Sequence, residues 1–236
     1  MIDGLGRVAI AKFPSARYDT WNVPAWEAVS LDLARRAGIR VPDSQLLRIS
    51  DRSVLVVNRF DRDADRRIGY VSAMTMLEAS EGDVGSYLDM AAAIEQTSAR
   101  ATDDLHELWR RIAFGILISN TDDHLRNHGF LHVGASAWTL SPAFDLNPDP
   151  APGPKHLSMT IDGYERTASI QTLVSVAPFF RLDEEDAVEV LGEVLDATLS
   201  WRDAATAREI SQVEIDAMAS AFAHNETQVA QDLAGA

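Results

Sequence analysis

The sequence contains no cysteine, which excludes disulfides and thiolate-ligated metal sites and makes a cytoplasmic location the simplest expectation. No apolar run approaches the ~20 residues that a membrane-spanning helix needs, so no membrane role is expected. The opening stretch, MIDGLGRVAIAKF, lacks the basic flank, apolar centre and small-residue cleavage site of a secretory leader. Positive charge is scarce and scattered, and the net charge is −15 over 236 residues. Extensive DNA or RNA contact needs clustered cations to displace counterions from phosphates, so no direct nucleic-acid ligand is expected. A basic protein partner suits this charge better. Lysine is rarest of all, with Lys12 and Lys155 its two occurrences.

What is present is an ordinary globular composition, 46% hydrophobic and 24% charged. A chain of this length forms one large domain or two lobes sharing a cleft. Arg7 to Phe13 reads as a short strand closed by Pro14. A helix is predicted from Pro24 to Ala37, with Trp26, Val29, Leu33 and Ala37 on one face and Gly38 as its stop. Two strands follow, Ser44 to Ile49 and Val54 to Phe60, and then a charged passage from Asp61 to Arg67. Helices are predicted at Ala73–Ala79, Ser86–Thr97 and Asp103–Ile118. Thr102 is the expected cap of the third, with Asp103 and Asp104 favoured in its first turn by the helix dipole. A hairpin is expected across Gly134-Ala135-Ser136. Pro-rich coil, two or three helices between Ile170 and Ala223, and a fraying last dozen residues complete the pattern.

Three features point toward chemistry. Lys12 stands in the apolar run Val8–Phe13. Its flexible stem could simply carry the ammonium out to water, and that reading stays open beside a ligand-binding one. The second feature is the polar loop Ser119-Asn120-Thr121-Asp122-Asp123-His124-Leu125-Arg126-Asn127, which follows the strongly apolar run Ile112–Ile118. An apolar helix anchors such a loop, so its side chains are aimed. Asp122 and Asn127 have the D-x-x-x-x-N spacing of kinase catalytic loops, in which Asp accepts the acceptor-hydroxyl proton and Asn binds magnesium. The same residues could equally cap a turn. Third, Asp145 follows the hairpin, and an amide oxygen with a carboxylate suits a hard octahedral cation such as Mg2+. A two-metal hydrolase built on Asp122, Asp123, His124 and Asp145 is a competing use of the same residues.

The phrase SNTDDHLRNHGFL…WTLSPAFDLNP resembles the catalytic and metal-binding segments of HipA-like serine/threonine kinases, the toxin half of bacterial toxin–antitoxin pairs. AKFPS, Glu27 in the next helix, AGIRVPDSQLL and VVNRFDR extend the resemblance from Val8 to beyond Trp201. It implies an α+β, kinase-like bilobal fold. Residues 1–67 would be the remnant of the N-lobe, and 68–236 a helical C-lobe carrying the catalytic and metal-binding loops. It further implies ATP and Mg2+ as cofactors, a protein substrate, and an antitoxin-like DNA-binding repressor as partner. Residue by residue, Lys12 would contact the nucleotide phosphates, and Asn58 and Phe60 would lie against the adenine. Asp122 would be the base, while His124 and Asn127 would border the phosphates. Asn127 and Asp145 would hold the metal, and a His124 that merely braces the backbone is the bland alternative.

Relatives of this type carry a further N-terminal domain and a Ser- and Gly-containing phosphate loop, whereas this sequence starts almost at the lysine strand. Gly4 and Gly6 look like a hairpin turn and match no phosphate loop. The expectation is therefore an incomplete fold: a fragment, a chain completed by a separate protein, or a degenerate kinase that binds an antitoxin-like partner without catalysis.

Overall fold

A computed structural model describes residues 7–15, 20–63 and 66–235. The expected turn at Gly4 and Gly6 lies outside them. Strand β1 (Ala9–Lys12) ends just before Pro14. Helix α1 (Val23–Arg36) is capped by Asn22, whose side chain accepts from Ala25 N, and it gives way at Gly38, where φ is +77°. Strands β2 (Ser44–Ile49) and β3 (Arg52–Asn58) close a three-stranded antiparallel sheet in the order β1-β3-β2, with Lys12 opposite Leu55 and Ala9 opposite Asn58. The strand predicted to reach Phe60 begins two residues early, at Arg52 after the turn at Ser50, and stops at Asn58, where its pairing with Ala9 of β1 ends. That leaves Phe60 beyond the ladder, where its ring can turn inward.

The charged passage forms a two-residue-per-strand hairpin, β4 (Arg62–Asp63) and β5 (Arg66–Arg67). Strand β6 (Tyr70–Ser72) leads into helix α2 (Ala73–Met76), which ends three residues earlier than expected because Glu78 adopts the left-handed conformation, φ +54°. Helix α3 (Tyr87–Thr97) is capped by Ser86. Helix α4 (Ala101–Leu117) starts before Thr102, so that residue is inside the helix and does not cap it; its hydroxyl accepts from Arg181 instead. Asp104 is not a solvated first-turn acid either. Fully buried, it accepts from Arg40, Ser98, Thr139 and the Leu140 amide, pinning the later hairpin to α4. That hairpin, β7 (Gly129–Gly134) and β8 (Ala137–Leu140), forms a second sheet in the order β6-β7-β8. Its turn has positive φ at Ala135 and Ser136, +47° and +63°, matching the right-handed twist of the strands.

The C-terminal part holds more helix than the pattern suggested: α5 (Ile170–Ser175), α6 (Glu184–Leu199), α7 (Trp201–Ala207), α8 (Gln212–Ala217), α9 (Ala219–Phe222) and α10 (Asn225–Ala234). Of the last dozen residues, Asn225–Ala234 form a helix and do not fray. Helix α10 packs against α6, burying Ala230, and its Glu226 accepts from the Ile170 amide at the start of α5. Trp26 of α1 is fully buried, lies 6.2 Å from both Trp201 and Phe222, and donates from Nε1 to Glu214 Oε1 at 2.9 Å. Trp201 and Phe222 stack at 4.6 Å. One face of α1 is thus clamped by residues about 175 to 195 positions away in sequence, which fixes where Glu27, one position on, can point. Among the described residues no helix is long and apolar enough to cross a membrane.

Candidate functional site

Lys12, at the end of β1, does not run out to water. Its ammonium donates to Glu27 Oε1 and to Asp145 Oδ1, each at 2.6 Å, joining β1, α1 and the segment after β8. Glu27 is nearly enclosed, with its side chain 3% exposed, whereas Lys12 and Asp145 keep about a third of theirs in solvent, 32% and 40%. Burial alone would lower the Lys12 pKa; the charges of Glu27 and Asp145 outweigh it and hold the ammonium above its usual range. Burial pushes the Glu27 carboxyl up, and Lys12 recovers part of that cost. Asp145 has φ +59°, a left-handed conformation uncommon outside glycine but one that aspartate enters more readily than most residues. The segment leading to it is held in place: Arg111 donates to the Ser141 carbonyl at 2.7 Å, and the Ala143 amide to the Arg40 carbonyl at 2.7 Å.

Beside this triad opens a largely apolar cavity of about 240 Å3, whose walls include Ile10, Lys12, Glu27, Leu31, Asn58 and Phe60. Phe60 lies 6.0 Å from Tyr70 and 5.7 Å from Phe144, so three rings form one wall. Asp61, held at 2.7 and 2.5 Å by the fork of Arg59 and at 2.5 Å by Arg62, lines the same cavity. Tyr70 reaches this position across Gly129. A Cβ at Gly129 would stand 2.2 Å from the Tyr70 ring, so only glycine admits it.

The polar loop is built by a sharp exit from α4. Ser119 takes φ +54°, the Asn120 amide bonds back to Gly115 O at 2.8 Å, and Ser119 Oγ donates to Ala221 O at 3.0 Å. Three bonds stitch the loop to the segment after Asp145: Asn147 N to Asn120 Oδ1 at 3.3 Å, Asp149 N to Ser119 O at 3.1 Å, and Thr121 Oγ1 to Asp149 Oδ2 at 3.1 Å. Asn127 is buried and spends Nδ2 on the Asp122 carbonyl at 3.1 Å, so Oδ1 is the atom of that side chain chemically able to ligate a cation. Asp122 is exposed. No hydrogen bond joins Asn127 to Asp145; what brings them into one region is the stitching of their segments.

Lys12, Asn58 and Phe60 therefore share the cavity, with Asp145 on its lysine. His124 faces a separate hollow of about 70 Å3 with Met74, Glu81, Arg126 and Ser158. Asp123, one of the four carboxylate and imidazole groups a two-metal hydrolase would need, is buried and committed to protein donors, Tyr87 OH at 2.6 Å and His128 Nε2 at 3.0 Å. Burial pushes its carboxyl up, but His128 and these hydrogen bonds hold it below the usual carboxylate range. Among the described residues no group of three or more histidine, aspartate and glutamate side chains converges as a metal cage.

The donors around Asp145 do fit a hard cation bound together with phosphates. Asn147 Nδ2 donates to Asp145 Oδ1 at 3.2 Å, while the buried Asn147 Oδ1 has no protein partner, and neither has the buried His124 Nδ1. An orphaned amide oxygen next to a carboxylate, with Asn127 in the stitched loop, is an oxygen set of the type Mg2+ accepts, the remaining positions going to water and phosphate. Asn147 carried no assignment in the sequence reading although it lies in the quoted FDLNP; its one signal was its place two residues after Asp145. Tyr70, Phe144 and Gly129 left no periodic or spacing signal and emerge only from the fold.

The comparisons agree with this geometry. The HipA-like C-terminal domain family model matches residues 3–202. A putative kinase, Y4dM, of Sinorhizobium fredii is 29% identical over 161 residues, covering 61% of this chain and 38% of that protein. A putative kinase of Haemophilus influenzae is 25% identical over 135 residues, covering 51% and 39%. The chain thus spans about two fifths of these curated relatives. Among solved structures, HipA of Shewanella oneidensis, in a complex with HipB and operator DNA, superposes with a TM-score of 0.74 at 16% identity, over 97% of this chain and 60% of that one. The proinflammatory kinase CtkA of Helicobacter pylori gives 0.69 at 15%, over 97% and 88%. At such identities the superpositions establish the fold, which is kinase-like, mixed α/β. With its model covering most of the chain, the HipA-like C-terminal domain family is the one to which this protein belongs.

Proposed function

We propose that the chain carries the catalytic centre of an ATP- and Mg2+-dependent protein serine/threonine kinase, with its small sheet and α1 (residues 1–67) as the nucleotide-facing lobe and residues 68–236 as the helical lobe. The observation that carries the reading is the Lys12 ammonium bridging Glu27 and Asp145 at the edge of an aromatic-walled cavity. A purine lies against Phe60 and Asn58, and Lys12 serves the phosphates. Asp145 and Asn127, joined by Asn147, hold the cation, and His124 borders the phosphates from the loop. When bound, the cation neutralises charge on the β- and γ-phosphate oxygens. Asp122 takes the proton of the acceptor hydroxyl as its oxygen bonds to the γ-phosphorus and the bond to the β–γ bridging oxygen breaks. The acceptor is a protein. A repressor-like antitoxin is the regulatory partner we propose, on two grounds: the net charge of −15, which attracts a basic protein, and the fold shared with a HipA found with HipB and operator DNA.

Transfer of labelled γ-phosphate to a basic Ser/Thr peptide library, with calorimetry of Mg-ATP binding, tests this. Asp122→Ala is expected to lower transfer at least ~100-fold with nucleotide binding retained. Asp145→Ala is expected to weaken Mg-dependent binding itself. Absence of binding heat at millimolar Mg-ATP would sink the kinase reading and leave a non-catalytic, partner-binding module.

A further inference from the structure

We infer that Tyr87 is a positioning residue for phosphoryl transfer, holding the 122–127 loop through the carboxylate of Asp123. The inference rests on the kinase reading above. Asp123 directly follows the proposed base, and His128 directly follows Asn127, so the two residues bracket the segment on which transfer depends. They meet inside the protein: His128 Nε2 and Tyr87 OH converge on the same atom, Asp123 Oδ2, at 3.0 and 2.6 Å. Tyr87 and His128 also touch edge to face, ring centroids 6.0 Å apart at 89°. All three side chains are buried, at 2%, 7% and 4% exposure for Tyr87, Asp123 and His128.

A carboxylate removed from water is costly unless donors replace the lost hydration. Two donors converging on one oxygen hold the Asp123 carboxylate in a single orientation, which also restrains the backbone on either side of it. The reference for that orientation is α3. Tyr87 is its first residue, the Tyr87 amide donates to Thr160 O at 3.0 Å, and Ser86 caps the helix. The residues leading into α3 grip the same loop twice more. A side chain at Gly85 would come within 2.7 Å of Leu125, and Glu81 is paired with Arg126. Neither contact places a donor on the Asp123 carboxylate. The Tyr87 hydroxyl does, one residue from the base.

Tyr87→Phe removes that hydroxyl and keeps the ring. The expected result is a kcat for transfer to the peptide library lowered roughly 10- to 100-fold, as small misplacements of reacting groups produce. Affinity for metal-free ADP, held chiefly at the Lys12 cavity and only bordered by His124 of the loop, is expected to fall far less than kcat, by no more than about threefold. Amides of 122–127 are expected to exchange hydrogen faster, while those of α6 do not change. Asp123→Asn, acting on the same hydrogen bonds, should repeat the pattern and replaces Tyr87→Phe if that variant does not fold. A Tyr87→Phe enzyme with a lower melting temperature but unchanged kcat would overturn the role. So would a parallel loss of ADP affinity and kcat, the mark of general unfolding. An inactive wild type would overturn the kinase reading and this role together, whereas an active wild type matched by Tyr87→Phe would overturn this role alone.

Discussion

The cavity around Lys12 and the loop from Ser119 to His128 are built on opposite principles. The cavity gathers residues from β1, α1, the end of β3 and the run after it, β6 and the segment after β8, and its charged triad of Lys12, Glu27 and Asp145 comes from three separate elements. The loop packs its chemistry into ten consecutive residues and borrows a few anchors, Ala221, Asp149 and Tyr87, from elsewhere. A dispersed site depends on the whole fold for its geometry. A contiguous one depends on a local backbone path that a few bonds can set. The two regions should therefore fail differently when perturbed.

The largest difference is expected at Lys12. Lys12→Met keeps the length of the stem and leaves Glu27 buried without its cation. A buried carboxylate stripped of its partner destabilises the fold, here by about 1–3 kcal/mol because Lys12 is partly solvated. Transfer should be lost along with that stability, and a denaturant titration read beside the transfer assay checks both. Stability falling with Asp122→Ala but not with Lys12→Met would reverse the comparison.

Gly129→Ala tests the seam between the regions, since Gly129 follows the loop yet seats a cavity ring. The added methyl must displace Tyr70, an overpacking cost of about 1–3 kcal/mol. Nucleotide affinity is expected to drop about tenfold, an effect calorimetry would detect. Tyr70→Ala combined with Gly129→Ala should cost less than the sum of the two single changes, because one ring accounts for both. Strict additivity would show that Tyr70 and Gly129 act independently.

The smallest effect is a pH dependence confined to the loop. The folded protein holds the Asp123 carboxyl below its unfolded value of ~3.9, so on acidification the unfolded chain takes up the proton first. The resulting stability is fully present above about pH 4–5 and is lost as pH falls through the folded value. Denaturant midpoints of wild type and Asp123→Asn should accordingly differ at pH 6 and draw together only as pH falls below about 4 and through the lowered folded value. A constant gap across that range would mean that Asp123 is not the group responsible.

The same contrast explains what could be read in advance. The loop from Ser119 to Asn127 was legible as a fixed segment because a strongly apolar helix precedes it, and the structure pins it to Gly115 and Ala221; β2 matched its predicted bounds because strand character ended cleanly at Ser50. Lys12 was ambiguous by itself, since a lysine in a strand reads alike whether it ends in water or in an ion pair 133 positions away. Thr102 was read as a cap because threonine is common there, but α4 begins one residue before it and uses Asp104 as a buried hub. Asp123 stood out in the sequence only as a candidate ligand of the competing two-metal hydrolase, and tertiary packing reveals its two donors. Helix α10 was taken for a frayed end because its sequence is polar, whereas its Thr227 and Ala230 side is covered by neighbouring helices.

Glu214, Ala221 and Phe222 lie past residue 202, where the family match ends, yet they touch α1 through Trp26 and the loop through Ser119. A version of the chain ended at that boundary would keep every group named for the chemistry and lose the wedge that holds two of its parts in register. The terminal helices thus brace both the helix that carries Glu27 and the loop that carries Asp122, through residues that themselves stand outside the candidate site.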